Sequence, residues 1–372
     1  MSVGKLSLKL LEKEKKADFL PALEGLRFIA IGWVLLFHLA FLRNPNAHKA
    51  FQLIANPGHL GVELFFCISG FVMALPAAKR LRNGDLRYYF IRRLTRLEVP
   101  YLVALTCGFA AKVTMTSLNF TDAIKHFLAS ATYLHNIVYQ ARSVISVVTW
   151  SLEVEFQFYL LAPALWTLLI FSKSLTRLIA FIVLFTAIAS SLKTGKQTFY
   201  FLLLPAYIQF FLAGALFAVL HVRFPTVVSS RRDILSLGLP LGLFFLFFTQ
   251  FTPHWAHPSI SLIGCCFLMT AALWGPLSKK VLSNYFVVTV GGMCYSIYLY
   301  HSFVYNALDR IWPRLGIPDS AFTTLLRTGL YITVAVAISA VFFALIERPF
   351  MKSELSRKVF SALGFQSRRA SS

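Results

Sequence analysis

The chain has 372 residues, 57% of them hydrophobic and 14% charged, with a formal net charge of +21. A soluble domain carries about 25% charged residues, so this composition excludes an ordinary water-soluble globule and points to a chain lying mostly in lipid. The basic excess is a topology and lipid-surface signal rather than a nucleic-acid footprint, because it is confined to short loops between long apolar runs.

Residues 1–20 read as a short amphipathic or disordered segment. Its charged stretch Lys13 to Asp18 runs into apolar sequence with no small-residue cleavage site, so the first apolar run is expected to be a retained signal-anchor. Runs of roughly 20 apolar residues cross a ~30 Å hydrocarbon core as helices. They predict helices over 25–42, 60–77, 98–115, 150–171, 175–192, 199–221, 233–251, 258–276, 285–308 and 323–346. The stretch 123–139 is only moderately apolar and holds Lys125, His126 and His135, so it is expected to be a re-entrant or interfacial segment on the outer side.

The expected fold is an all-α integral membrane protein of about ten transmembrane helices. Residues 21–350 form its single domain, flanked by the cytoplasmic segment 1–20 and a basic cytoplasmic tail 351–372, with no appended soluble domain. If the first segment is cytoplasmic, the inner side carries 25 Lys and Arg residues and the outer side 9, which places both termini inside. The largest inner loop, 78–97, holds seven of them, Lys79 to Arg96. The five cysteines, Cys67, Cys107, Cys265, Cys266 and Cys294, follow neither a disulfide framework nor a zinc pattern and read as apolar packing residues.

Ionisable residues inside apolar helices are expensive and must face a cavity or a partner. Arg27 and His38 are 11 residues apart in the first helix, which at 100° per residue returns them to one face with ~16 Å of axial rise between them. Arg27 then sits at the cytoplasmic boundary, as a ligand-binding group or a snorkelling anchor. His38 lies near mid-membrane or in the outer half, as a reactive imidazole or an interhelical hydrogen-bonding group. Glu63 lies a turn below the outer face in GVELFF, where it pairs with an imidazole or simply favours a helix N-terminus. Gly61, Ser69 and Gly70 allow close helix approach. Arg93 and Arg96 share a helix face at i, i+3, a spacing that suits either two phosphate-binding forks or positive-inside anchors.

Glu153 and Glu155 point about 200° apart on a helix, so one faces a cavity and the other the outer interface. Gln157 reads as an interhelical hydrogen-bonding residue. In VGGMCYSIYLYHSF, Tyr295 and Tyr298 stack on one face and His301 repeats the step towards the outer end; Tyr295 is too deep for an interfacial aromatic belt. His254 and His257 lie in a short Pro-containing outer loop, and no metal site is expected there or elsewhere.

Taken in order, LEGLRFIAIGWVLLFHL, GVELFFCISGF, YYFIRRLTRLEVPYL, TWSLEVEFQFYLL, CYSIYLYH and FALIERPF resemble the acyltransferase 3 family of membrane-bound O-acyltransferases over nearly the whole chain. Glu63 stands where the family commonly has aspartate, Glu153 where a small residue is usual, and Phe156 where an acidic or polar residue often appears. The resemblance implies a bacterial inner-membrane enzyme with acetyl-CoA or another acyl-CoA as donor, no metal, and a hydroxyl of a carbohydrate or lipid-linked glycan as acceptor. Membrane lipids are its other partners; nucleic acid is not one.

Carried over by motif, the functional residues are Arg27, His38, Glu63, Arg93, Arg96 and Glu155. In the mechanism this suggests, Arg93 and Arg96, with Arg27, hold the donor phosphates. His38 acts as general base or transient nucleophile, Glu63 or Glu155 orients the imidazole, and Tyr295 or Ser69 donates to the oxyanion. Two rival readings remain: a proton-coupled secondary transporter, which the absence of an inverted repeat disfavours, and a non-catalytic scaffold, which leaves the buried ionisable set without a reason.

Overall fold

The computed structural model describes residues 19–42, 49–79, 83–116, 118–170, 174–194, 202–225, 232–317 and 320–351, with side chains of the long helix Asn83–Met115 from Leu97 onward. The segments 1–18 and 352–372 lie outside the described residues. No strand occurs among the described residues. The principal helices are α1 (Pro21–Leu42), α2 (Gly61–Ala78), α3 (Asn83–Met115), α4 (Phe120–Ala131), α5 (Trp150–Leu165) and α6 (Leu175–Thr194). They are followed by α7 (Ile208–Arg223), α8 (Gly238–Phe248), α9 (His257–Trp274), α10 (Tyr285–Gly292), α11 (Cys294–Ile311) and α12 (Ala321–Phe342).

Seven helices among the described residues are long and apolar enough to cross a membrane, and a bent pair brings the number to eight; α7 is a shorter apolar helix. The ten expected segments are all helical in whole or in part, but several are interrupted. The stretch expected as one helix over 285–308 is two, α10 and α11, bent by 68°. Gly291 and Gly292 sit at that break, where helix propensity is lowest, and Gly291 packs against the Glu24 backbone carbonyl. The helix expected from 98 begins at Asn83, so most of the basic stretch 78–97 continues the span as helix. Downstream of Pro163, α5 runs into a π-helical turn, Trp166–Ile170.

The layering follows burial. The apolar window of the Lys49–Ala78 span is 89% buried, whereas those of α6 and α12 are 17% and 22% buried. Thus α2 is the central post, and α6 and α12 present residues such as Val183 and Leu325 outward. In lipid these apolar faces need no protein cover. The segment 123–139 returns alongside α3 rather than lying across its end. Phe109 of α3 meets Phe120 and Phe127 of α4, and the Tyr101 hydroxyl donates to the Ser130 carbonyl at 2.7 Å. Tyr133, at φ 58°, is stacked between Tyr101 and Phe156 with ring centroids 5.0 and 4.4 Å away.

Candidate active site

An open cavity lies where α1, α2, the middle of α3, α5 and α11 converge. α1 contributes Arg27, α2 contributes Val62, Phe65, Phe66 and Ser69, and α3 contributes Leu97. Ser151, Leu152 and Glu155 come from α5, and Cys294, Tyr295 and Tyr298 from α11. A smaller recess adjoins it through Leu97, Leu152, Glu155 and Tyr295, and reaches Glu98, Tyr133 and Tyr159.

The polar groups around this space are tied down. Arg27 forms a 2.7 Å ion pair with Glu24, one helical turn earlier, and both side chains are largely buried. Glu155 accepts from the Ser69 hydroxyl at 2.7 Å and from the Tyr159 hydroxyl. The Tyr295 hydroxyl donates to the Leu97 carbonyl at 2.9 Å. Tyr298 donates to the Val148 carbonyl at 3.1 Å and lies 2.7 Å from the Ser151 hydroxyl. The start of α11, which carries these tyrosines, is held by the buried Glu347. Its carboxylate accepts from the Ser296 backbone N–H at 3.2 Å and the Ser296 hydroxyl at 2.7 Å, supplying a partner for N–H groups that a helix start leaves open.

His38 stands beyond Tyr298. Its Nδ1 is 3.0 Å from the Val34 carbonyl and 3.1 Å from Nε2 of His301, the ring centroids being 4.8 Å apart. His301 is fully buried, and its ring lies 6.0 Å from that of Tyr298. Arg27 and His38 therefore both turn towards α11, as the helical phase of the first apolar run predicts. Arg27 lines the cavity together with Tyr295 and Tyr298, whereas His38 and His301 are not among its lining residues and meet each other instead.

The two acidic residues expected to orient His38 are placed differently. Glu155 is in the cavity wall, engaged with Ser69 and Tyr159. Glu63 is buried on the flank of α2, where Ser261 and Lys193 are its electrostatic neighbours, and its Oε2 has no hydrogen-bond partner. A 60° step separates Glu63 from Phe66, enough to turn it from the cavity towards α9. Glu153 and Glu155 diverge as their spacing requires, Glu153 accepting from the Asn136 backbone N–H at 2.7 Å. Gln157 accepts from the Leu204 N–H at 3.0 Å, an interhelical link. The side chains of Arg93 and Arg96 lie outside the described residues, although both positions are on α3. Among the described residues no group of three or more His, Cys, Asp or Glu is placed to hold a metal ion.

Sequence reasoning missed Glu24, Tyr159 and Glu347. The first was legible as an acid three residues before Arg27, an i, i+3 ion-pair spacing, and Tyr159 as the i+4 neighbour of Glu155 on one helix; Glu347 carries no local signal. Replacing Glu24 with alanine removes one member of a buried pair and is expected to cost on the order of 3 kcal/mol. A lowered thermal midpoint of the detergent-solubilised protein checks this, and an unchanged midpoint contradicts it.

An acyltransferase-domain family profile matches residues 20–344. Relatives include SACOL0978 of Staphylococcus aureus (strain COL), 25% identical over 91% of this chain and 58% of its own length. Another is the O-acetyltransferase OatA of Staphylococcus aureus (strain MRSA252), 25% identical over 98% of this chain and 61% of its own. The chain thus spans about three fifths of the length of these relatives. No solved structure matches it.

Proposed function

The chain belongs to this acyltransferase family, and from that premise we propose that it moves an acyl group, acetyl in the first instance, from an acyl-CoA to a hydroxyl of a glycan or lipid-linked glycan at or across a bacterial inner membrane. The observation that carries the reading is that Arg27 and His38 lie on one unbroken helix, α1, in phase and about 16 Å apart, with a cavity at the Arg27 end. That separation suits an extended pantetheine arm. With both termini cytoplasmic, Arg27 lies on the side of the acyl-CoA pool and His38 towards the acceptor.

In this mechanism Arg93 and Arg96, with Arg27, grip the donor phosphates as charge-assisted forks. His38 takes the proton of the acceptor hydroxyl as its oxygen attacks the thioester carbonyl. The tetrahedral intermediate collapses, the thiolate leaves, and the proton on His38 passes to it, giving ester and free CoA thiol. Ser69 and Tyr295 line the cavity, and either donates to the oxyanion by exchanging its resting acceptor, Glu155 or the Leu97 carbonyl.

The test is incubation of the purified protein with radiolabelled acetyl-CoA and candidate glycolipids. Label on the glycan supports acyl transfer. Passage of an intact solute into vesicles with no labelled product overturns it in favour of a transporter. Arg93→Ala is expected to raise the donor KM by about 10-fold or more, since a hydrogen bond to a charged group is worth ~1.5–3 kcal/mol, with little change in kcat. A normal donor KM with altered acceptor affinity contradicts the phosphate role.

A further inference from the structure

We infer that His301 is a positioning residue for the reaction: its Nε2 holds His38 in the tautomer whose basic lone pair is on Nε2, and it shares the positive charge that His38 acquires. This deepens the reading of His38 as the base and rests on it.

The tautomers follow from the partners. His301 Nδ1 is 3.0 Å from the Ile297 carbonyl and 2.9 Å from the Tyr298 carbonyl. Carbonyl oxygens only accept, so this nitrogen carries the hydrogen and the His301 lone pair is on Nε2. That lone pair is 3.1 Å from His38 Nδ1, which is also 3.0 Å from the Val34 carbonyl. His38 Nδ1 therefore carries a hydrogen shared between two acceptors, a three-centre bond. The remaining ring nitrogen of His38, Nε2, is the one with the lone pair, and it is the nitrogen that takes a proton from an acceptor hydroxyl.

Hydroxyl-activating histidines need the non-reacting nitrogen held by an acceptor, which fixes ring and tautomer. Here a neutral imidazole fills that place. The choice fits the setting, because a carboxylate so buried would carry a desolvation cost in the resting state. Each ring is also clamped to its own helix by a carbonyl one turn earlier, Val34 on α1 and Ile297 on α11. The contact therefore joins two fixed points. As the acceptor proton reaches His38 Nε2, the N–H···N bond to His301 strengthens and spreads the cation over both rings. When the thiolate takes that proton the neutral pair is restored.

The experiment uses the full chain in detergent with acetyl-CoA as donor, a methyl hexoside as surrogate acceptor and released CoA thiol as readout. His301→Leu keeps the bulk and removes the acceptor; His301→Gln returns an accepting oxygen. The expected result is a kcat about 10²-fold lower for His301→Leu, a KM for acetyl-CoA within about twofold of wild type, and recovery of roughly 10-fold in His301→Gln. The double variant with His38→Ala is expected to be no slower than His38→Ala alone, because residues acting as a unit are not additive.

A wild-type kcat in His301→Leu, beside an inactive His38→Ala, overturns the pairing and leaves the base intact. Equal losses in the Leu and Gln variants, with a matching rise in KM, also overturn it, since a purely structural link gives that pattern. No CoA release by wild type, or full release by His38→Ala, brings down the proposed function and this inference with it. Should His301→Leu fail to fold, ¹⁵N-histidine spectra of the wild type, assigned by loss of signal in His38→Ala, decide the matter. Protonation of His38 on Nδ1 supports the pairing, and protonation on Nε2 overturns it.

Discussion

His38→Ala is expected to lower acyl transfer by about 10²- to 10⁴-fold, the range that a positioned acid–base group contributes, while leaving acetyl-CoA affinity and the fold in place. The expectation separates chemistry from binding because the two ends of the site are separate. In the proposed mechanism the donor phosphates are held by the arginines at the Arg27 end, whereas His38 is ~16 Å further along α1 and meets Val34 and His301 instead of the cavity floor. Truncation at His38 leaves the Arg27–Glu24 ion pair and the Glu155–Ser69 hydrogen bond untouched. Turnover of labelled acetyl-CoA, measured beside equilibrium binding of CoA to the same folded sample, checks both halves. A His38→Ala protein with normal turnover removes the base from the mechanism. One that has lost CoA affinity but retains residual transfer of normal pH dependence moves the histidine into the binding machinery.

Sequence carried the helical segments and one face of the site because both depend on short-range periodicity. Apolar runs set where helices form, and the 11-residue interval sets Arg27 and His38 in phase without reference to any neighbour. Divergence of Glu153 from Glu155 is the same arithmetic on a two-residue interval. What periodicity leaves open is azimuth: which neighbour a helix face meets. Glu63 is one helical step from cavity-lining Phe66, and that step delivers it to the α9 side, beside Ser261. The partner of His38 comes from a helix 263 residues away in the chain. The break between α10 and α11 was visible as a Gly-Gly pair, but its consequence needed Glu347, because that carboxylate holds the new helix start through Ser296. Helix number is similarly exposed to interruptions: a hydropathy run does not register a glycine break, a proline-linked π turn or a short α7.

Gly214→Val is expected to destabilise the protein by about 3 kcal/mol or more, at the upper end of overpacking costs, and to lower the yield of folded protein. Small residues let membrane helices approach until backbones touch, and α2 and α7 do so reciprocally. A Cβ on Gly70 would land on the Phe211 carbonyl, and one on Gly214 on the Cys67 carbonyl. These atoms are main chain, so no side-chain rotation relieves the overlap and the helices must separate. Separation strips the aromatic stack between them, in which Phe211 lies 4.7 Å from Phe66 and 4.1 Å from Phe158, centroid to centroid. It also displaces Phe66 and Ser69, two residues of the cavity wall, so activity should fall with stability. Gly329 on α12 is the matched control, since a Cβ there meets nothing within 4 Å. Gly329→Ala should be neutral or stabilising by up to ~1 kcal/mol, the helix-interior difference between the two residues. Thermal unfolding of the two variants in one detergent compares them directly; equal midpoints for Gly214→Val and wild type would mean that the close approach of α2 and α7 does not hold the molecule together.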